Sequence, residues 1–351
     1  MIVIRPIEQK DAEAFIKIAF TADLGMTSIP KNSERLLQRI VDSERSFAAS
    51  VQKPGNESYL FVLEDLKTGA IGGTSGITAK TALNNPLYFY RLEIQPKKSV
   101  DQTIDKSLRD VSIMRVIHYL DAPSEIGSLY LLPEFRREGF GRLLSIVRFL
   151  FVAAFPEKFD KMLFAEMRGY VDANIVSPFW EGIGKHFLNM DYKTIQHLVE
   201  EELIDISKVI PIYPIYVSLL PKKVQKSIGK IHKDTIPALN MLIQEGFYLS
   251  DEVDIFDGGP KVEAEVQKLR SVTDSSRDIV SRIASQPLEG PRYILSNDRI
   301  KFRACYSQLQ FNHKGVCIPK EVAQALEVQL GDQIRYISSP SREQIFKEQA
   351  Q

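Results

Sequence analysis

The sequence predicts an α+β fold in which helices pack against a mixed β-sheet, with a small β-rich segment at the C-terminal end. Three observations support this prediction. The chain opens with a strand followed by an amphipathic helix. Its middle contains a strand, a glycine-bearing loop and a long apolar helix. A helix that ends at a glycine begins near 178, and a similar helix recurs at 237–247. A length of 351 residues favours two hydrophobic cores over one.

The N-terminal part predicts two helices and a run of strands. Residues 2–7 alternate into a strand, and an amphipathic helix begins at Asp11. Ser33 is a suitable N-cap for a second helix, because its side chain can accept a hydrogen bond from a backbone N–H of the first turn. The polar stretch 97–110 predicts an excursion from the sheet. Between the second helix and this polar stretch, the sequence predicts three strands: 58–64, 70–78 and 87–94.

Further along, the apolar patterns predict alternating strands and helices. Ser177-Pro178 begins a helix, since proline is well tolerated in a first turn. The predicted elements after residue 120 are a strand at 128–132, a loop at 133–142, a helix at 143–155, a strand at 161–167, helices from 178 and from 237, a turn at 257–260, and, in the tail, short strands, a helix from Pro319 and a strand at 333–337.

Composition excludes several classes of protein. The chain carries 45 basic and 45 acidic side chains, so its formal charge is zero and no overall field attracts nucleic acid or an anionic membrane. Cys305 and Cys317 provide neither a disulfide framework nor a zinc cage, and we predict no metal site. The opening strand is not a signal peptide, and the apolar run before Pro156 is shorter than the roughly 20 residues of a membrane span. These features predict a cytoplasmic protein.

A basic, glycine-bearing loop precedes the long helix. Its sequence, Arg136-Arg137-Glu138-Gly139-Phe140-Gly141, has the form R-x-x-G-x-G and is followed by Arg142. Glycines let the backbone approach a ligand closely, and the start of a helix favours negative charge, so the loop suits a pyrophosphate. It matches neither the dinucleotide G-x-G-x-x-G pattern nor a P-loop. A plain turn into a buried helix is the structural alternative.

This loop and the strand before it resemble the pyrophosphate loop of the GNAT superfamily of acyl-CoA-dependent N-acyltransferases, which has the form [QR]-x-x-G-x-[GA]. Further blocks narrow the resemblance to the arginine N-succinyltransferase family and extend over nearly the whole chain. They are Thr27-Ser28-Ile29-Pro30, Asn85-Pro86-Leu87-Tyr88-Phe89-Tyr90-Arg91, Ala165-Glu166-Met167-Arg168-Gly169, Ser177-Pro178-Phe179-Trp180, Pro214-Ile215-Tyr216 and Asp254-Ile255-Phe256-Asp257-Gly258-Gly259-Pro260.

The resemblance implies a duplicated GNAT-type fold, with two related mixed-sheet halves that exchange C-terminal strands. On this basis we expect an N-terminal half at 1–195 with the acyl-CoA loop, a second half at 196–290 with the active-site histidine, and a β-rich segment at 291–351. Only the first half retains R-x-x-G-x-G. One acyl-CoA site is therefore expected per chain.

The resemblance also implies an activity, the transfer of a succinyl group from succinyl-CoA to the α-amino group of L-arginine. Succinyl-CoA is then a co-substrate, and no permanently bound cofactor is expected. The family's succinyl-CoA contact falls on Leu129, and its proton-donating histidine falls on His232. The acyl-CoA loop supplies the remaining expected contacts: Arg136, Arg137, Gly139, Phe140, Gly141 and Arg142.

His232 is one of five histidines, and its position gives it a physical argument of its own. It stands just before a predicted helix N-terminus, whose dipole favours a neutral imidazole able to accept a proton. A capping role is the alternative. An acyl transfer requires a neutral amine, a polarised carbonyl and a protonated leaving thiolate, and one histidine can serve either proton transfer.

The substrates predict further charged contacts. Both carry carboxylates, which arginine side chains bind well, and a guanidinium requires acids. Arg91 and Arg168 are the carboxylate-binding candidates, and Glu166 lies two residues from Arg168. A structural ion pair explains these three residues equally well.

Other functions stay open. An ornithine-preferring succinyltransferase and a non-catalytic subunit of a hetero-oligomer are alternatives within the family. The tail from Val316 to Tyr336 has the strand, helix and Gly-Asp turn of small DNA-binding swapped-hairpin domains, but its interleaved acids and bases argue against nucleic-acid binding. A homodimer is the default assembly.

Overall fold

A computed structural model describes residues 1–22, 29–95, 110–201, 203–208 and 210–339. Its strands are β1 Ile2–Pro6, β2 Ser58–Asp65, β3 Ala70–Thr78, β4 Leu87–Gln95, β5 Val111–Tyr119, β6 Ser124–Leu131, β7 Met162–Glu166, β8 Ile215–Tyr216, β9 Tyr248–Asp254, β10 Pro260–Glu265, β11 Ser276–Ala284, β12 Arg292–Ser296, β13 Ala304–Gln308, β14 Gln310–Asn312, β15 Gly315–Pro319 and β16 Gln333–Ser338. Its α-helices are α1 Ala12–Thr21, α2 Ser33–Ala48, α3 Phe140–Ala154, α4 Pro178–Gly182, α5 Lys185–Leu188, α6 Tyr192–Glu200, α7 Lys222–Gln225, α8 Ile236–Glu245, α9 Arg270–Thr273 and α10 Lys320–Leu326.

These strands form one mixed sheet in the order β14-β15-β11-β16-β12-β13-β1-β2-β3-β6-β7-β10-β9-β4-β5-β8. Most neighbours are antiparallel, whereas β6 pairs with β7, and β11 with β15, in parallel. The predicted α+β fold with a mixed sheet and a β-rich C-terminal segment is confirmed. Strands β9 and β10, from the expected second half, join β7 of the first, so no break in the sheet marks the expected boundary at 195/196.

Strand β2 lies at the centre of the fold and is buried on both faces. Successive side chains of a strand point to opposite faces, so Tyr59, Phe61 and Leu63 enter the core beneath α3, while Leu60 and Val62 enter the core beneath α1 and α2. Full burial of each large apolar side chain stabilises the fold by about 2 kcal/mol. The central strands of the sheet are thereby fixed between two helical layers.

The apolar helix α3 is buried along nearly its whole length. Phe149 and Phe151 are fully buried, and Phe151 contacts the rings of Phe61 and Phe302. Phe302 belongs to the C-terminal segment, which also has a core of its own around Leu295 and Ile318. The C-terminal segment therefore packs on the same helix that follows the glycine-bearing loop.

Several details differ from the sequence-based expectations. The N-cap of α2 is Asn32 rather than Ser33, because the Asn32 side chain accepts a hydrogen bond from the Arg35 N–H at 3.1 Å. Helix α3 begins at Phe140, three residues before the predicted start, because the left-handed Gly139 ends the loop. Strand β5 was not predicted. Residues 27 and 28 of the first family block and nearly all of the polar stretch 97–110 lie outside the described residues.

Candidate active site

The sheet opens between β6 and β7. These parallel strands pair only at Ser124 with Leu163 and Glu125 with Phe164, after which β6 continues along β3 and β7 along β10. Two residues of β6, Ser128 and Leu129, then lie opposite the single Ser75 of β3. Ser128 has a φ of 52°, as expected of an irregularity that bends the strand. The half-buried Leu129 thus lies at the opening, immediately before the basic loop.

The loop after β6 turns sharply into α3. Glu138 and Gly139 both adopt positive φ, at 53° and 77°, and Gly139 is the N-cap without a capping side chain. The first N–H groups of a helix have no intrahelical partner, so those of Gly141 and Arg142 are available to an anion at this end. The loop has the geometry expected of a pyrophosphate cradle.

The side chains of the loop differ in their surroundings. Arg136 is exposed, donates through Nε to the Leu131 carbonyl at 2.9 Å and lies over the Tyr130 ring. Arg137 is also exposed, whereas the Phe140 side chain is buried in the core. Arg142 donates to Gln244 Oε1 at 2.9 Å, and burial together with the nearby Arg270 lowers its pKa.

The C-terminal segment holds the loop from the other side, which sequence reasoning missed. Tyr306 of β13 donates its hydroxyl proton to the Gly139 carbonyl at 3.0 Å. Arg292 of β12 donates to the Glu138 carbonyl at 3.0 Å and stacks on the Tyr306 ring at 3.4 Å. No local pattern links residues more than 150 positions apart, so only the folded chain reveals this contact.

A cavity of about 640 Å³ lies at the opening between β6 and β7, on the side of α2. Arg35 and Arg39, one helical turn apart on α2, line it together with Glu125 and Ser128 of β6. Arg39 donates to the Ser128 hydroxyl at 2.9 Å, and burial lowers its pKa to about 10. Burial raises the pKa of Glu125 to about 7, although Arg39 opposes this shift. The sequence analysis did not identify either arginine as a site residue.

A smaller cavity of about 250 Å³ adjoins the first, with Glu166 and Val199 in both linings. The Glu166 carboxylate is exposed to this space yet surrounded by protein. Burial raises its pKa well above the ordinary value, and the nearby Glu125, Asp254 and Asp257 add to the shift. Arg168 also lines this smaller cavity, where its charge opposes the raised pKa of Asp257. The structure thus brings the predicted pair Glu166 and Arg168 to one cavity.

Arg91 lies elsewhere, in an ion-pair cluster across β4 and β9. It donates to Glu252 at 2.7 Å, and Lys261 and Tyr119 donate to the same buried carboxylate at 2.8 and 2.6 Å. Burial raises the pKa of Glu252, but these three hydrogen-bond donors outweigh it and lower the pKa overall. The sequence analysis gave a structural ion pair as the alternative role for Arg91, and this position agrees with that alternative. Its carboxylate-binding role stays a prediction.

His232 lies beside the residues that follow β7. Its backbone N–H donates to the Arg168 carbonyl at 2.9 Å, and a bridge joins Ile231 to Gly169. The buried imidazole is the N-cap of a short 3-10 turn and accepts the Asp234 N–H on Nδ1 at 3.3 Å, which leaves the proton of the neutral ring on Nε2. Within the described residues, His232 is not in the lining of either cavity. Its catalytic role stays a prediction.

Both cysteines are buried, and burial raises the pKa of Cys305 to about 12, which disfavours a thiolate nucleophile. Among the described residues, no three His, Cys, Asp or Glu side chains gather as a metal site. No helix in the described ranges is long and apolar enough to cross a membrane.

Known proteins resemble this chain over nearly its whole length. Residues 2–271 match the family model described as arginine N-succinyltransferase beta subunit, and residues 277–338 match the C-terminal domain of that subunit. An arginine N-succinyltransferase from Yersinia enterocolitica is 35% identical over 342 residues, covering 96% of this chain and 98% of its own. One from Salmonella paratyphi B is 34% identical over 339 residues, covering 96% and 97%.

A solved structure gives the same result in three dimensions. The structure of arginine/ornithine succinyltransferase subunit AI from Pseudomonas aeruginosa superposes with a TM-score of 0.87 at 33% identity, covering 97% of this chain and 99% of that one. The chain therefore belongs to the arginine N-succinyltransferase family of acyltransferases.

Proposed function

We propose that this chain transfers the succinyl group of succinyl-CoA to the α-amino group of L-arginine, by direct attack of the amine on the thioester. The observation that carries the proposal is the opening between β6 and β7, where the strand irregularity at Leu129 leads directly into the loop at 136–142. A pyrophosphate on the loop and a thioester beside Leu129 fit one extended acyl-CoA. No metal or prosthetic group takes part in the proposed reaction.

The proposed chemistry assigns a task to each part of the site. Gly139, Gly141 and the basic side chains Arg136, Arg137 and Arg142 bind the pyrophosphate. Backbone N–H groups at the irregularity in β6 polarise the thioester carbonyl, because an extra residue in a strand is left out of the hydrogen-bonded ladder. The amine nitrogen bonds to the carbonyl carbon, the C–S bond breaks, and CoA leaves as the thiol. His232 carries a proton in this exchange.

The family membership and the name of the Pseudomonas relative support both arginine and ornithine as acceptors. We propose L-arginine as the preferred one, with ornithine the alternative. Purified protein should release free CoA thiol only when succinyl-CoA and an acceptor are both present. Release that is equal with and without arginine or ornithine would contradict the proposed acceptors, and release from acetyl-CoA at the same rate would contradict the proposed donor.

A further inference from the structure

The smaller cavity holds a group of polar side chains that the proposed mechanism does not use. It lies between the start of β4, the end of β7, one side of α6 and the turn after β9. Since Glu166 and Val199 belong to both linings, a ligand reacting in the larger cavity can extend into this one. Its lining contains three acids, Glu166, Asp254 and Asp257, and one base, Arg168, so its formal charge is negative.

The three acids of the smaller cavity differ in the hydrogen bonds that they already accept from the protein. Asp257 accepts the N–H groups of Gly169 and Gly259, each at 2.8 Å, and so holds the turn in place. Asp254 accepts two N–H groups of the same turn through Oδ1, each at 2.7 Å. The charges near Glu166, by contrast, are mostly those of other acids, Glu125, Asp254 and Asp257, which Lys261 opposes. A cation beside Glu166 would relieve this repulsion.

Gln196 supplies an independent observation. It is only 4% exposed, it lines the cavity from α6, and its Oε1 has no hydrogen-bond partner among the described residues. Buried polar atoms in folded proteins nearly always have a partner, because an orphaned acceptor costs free energy. An N–H donor on a ligand would satisfy Gln196 Oε1, and the aromatic side chains of Tyr88 and Phe256 belong to the same lining, where they can contact a cation.

We propose that this cavity is the subsite for the cationic side-chain end of the amino-acid acceptor, with Glu166 and Gln196 as its hydrogen-bond acceptors. The inference rests on the proposed function, because it takes the α-amino group to react in the larger cavity. It assigns recognition of a guanidinium or ammonium group to the smaller one. Asp254 is a further acid in the lining, and the charge of Arg168 acts on Asp257.

The first test compares two ligands on the unaltered protein by titration calorimetry. L-citrulline has nearly the shape of L-arginine but carries a neutral urea in place of the guanidinium. In the presence of CoA, arginine should bind at least about 100-fold more tightly than citrulline, because a site built for N–H donors and positive charge rejects an analogue that lacks them. Equal affinities for the two ligands, or no binding of arginine and ornithine, would overturn the subsite.

The second test uses variants. Gln196→Met keeps the size of the side chain and removes its acceptor, and Glu166→Gln removes the charge. Each should raise the dissociation constant and the KM for arginine about 10-fold and leave the KM for succinyl-CoA within 2-fold. His197→Leu, on the exposed side of the same helix, is the matched control. Unchanged arginine affinity in both variants, with native melting temperatures, would refute the assignment.

The two proposals can fail separately. If arginine binds with the expected discrimination but no CoA is released, the proposed reaction is wrong and the cation subsite stands. If CoA is released with arginine while citrulline reacts equally well, the reaction stands and the subsite is wrong.

Discussion

Gly139 is the residue whose backbone most directly defines the acyl-CoA loop. Its φ of 77° belongs to the left-handed region, and a Cβ there would lie 3.1 Å from the Tyr306 hydroxyl. Gly139→Val should therefore raise the KM for succinyl-CoA at least about 10-fold, with the KM for arginine changed by less than about 3-fold. Steady-state kinetics with each substrate varied in turn gives both constants.

A matched control separates loop geometry from backbone strain. Gly69, in the β2–β3 turn, has a similar φ of 73° and open space around its Cα. Gly69→Val should cost a similar amount of stability, about 1–2 kcal/mol, and leave both KM values unchanged. If Gly69→Val raised the KM for succinyl-CoA as much as Gly139→Val, the loop would not be the anion site.

His232 poses a choice between proton transfer and helix capping. Its imidazole accepts a backbone N–H, as a capping side chain does, so loss of activity in His232→Ala alone would not decide. Asparagine is a strong N-cap that cannot transfer a proton at this position. We expect His232→Ala and His232→Asn both to lower kcat by about 10²–10⁴, with the exposed His186→Ala as the control. A near-native kcat in His232→Asn would assign His232 to capping alone.

At the scale of elements, the main finding is that the C-terminal strands support a loop from a distant part of the sequence. The contact joins β12 and β13 to the residues before α3, and it is made through backbone carbonyls. Because carbonyls are bound, the contact holds the loop without occupying the N–H groups that we propose for binding the pyrophosphate.

Removal of one hydrogen bond tests this support. Tyr306→Phe deletes the bond to Gly139 and preserves the ring that stacks on Arg292. A net contribution of about 1 kcal/mol predicts a KM for succinyl-CoA raised about 5-fold, with little change in the KM for arginine. Tyr293→Phe, also in the C-terminal segment, is the control. An unchanged KM for succinyl-CoA in Tyr306→Phe would mean that β13 does not position the loop.

For the whole molecule, the acids gathered around the opened sheet make stability depend on pH. The pKa of Glu125 is raised to about 7 by burial, so the folded chain retains a proton that the unfolded chain loses near pH 4.5. Stability from this group is therefore fully present below pH 4.5 and is lost as pH rises through 7. Glu252 and Asp160 have lowered pKa values, so they change the stability below pH 4.5. They do not change it between pH 4.5 and 7, where Glu125 acts.

Urea unfolding at pH 5.5 and pH 8.0 tests this dependence. The wild-type free energy of unfolding should fall between these values, and Glu125→Gln should reduce the fall by about 2 kcal/mol. Glu265→Gln, at an exposed site, should leave the fall unchanged. An equal fall in Glu125→Gln and wild type would contradict the raised pKa.

The ranges of the two family models differ from the three predicted segments, whose boundaries stay predictions. The two family models divide the chain between 271 and 277, whereas the sequence analysis placed boundaries at 195/196 and 290/291. The helices of the predicted internal repeat also differ, since α8 has ten residues and α4 and α5 have five and four. The internal duplication, the dimeric state and the cytoplasmic location stay predictions.

The family, the mixed fold and the turn of the glycine-bearing loop into α3 could be predicted from the amino-acid sequence, because these depend on local signals. Alternation places β2 between two cores, and glycine at 139 is needed for a backbone turn that few other residues adopt. The contact of Tyr306 with the loop, the placement of Arg39 beside Ser128, and the position of Glu166 and Gln196 in one cavity became visible in the folded chain alone. Each of these depends on side chains from distant segments, and which distant segments meet is decided by the packing of the sheet rather than by any local pattern.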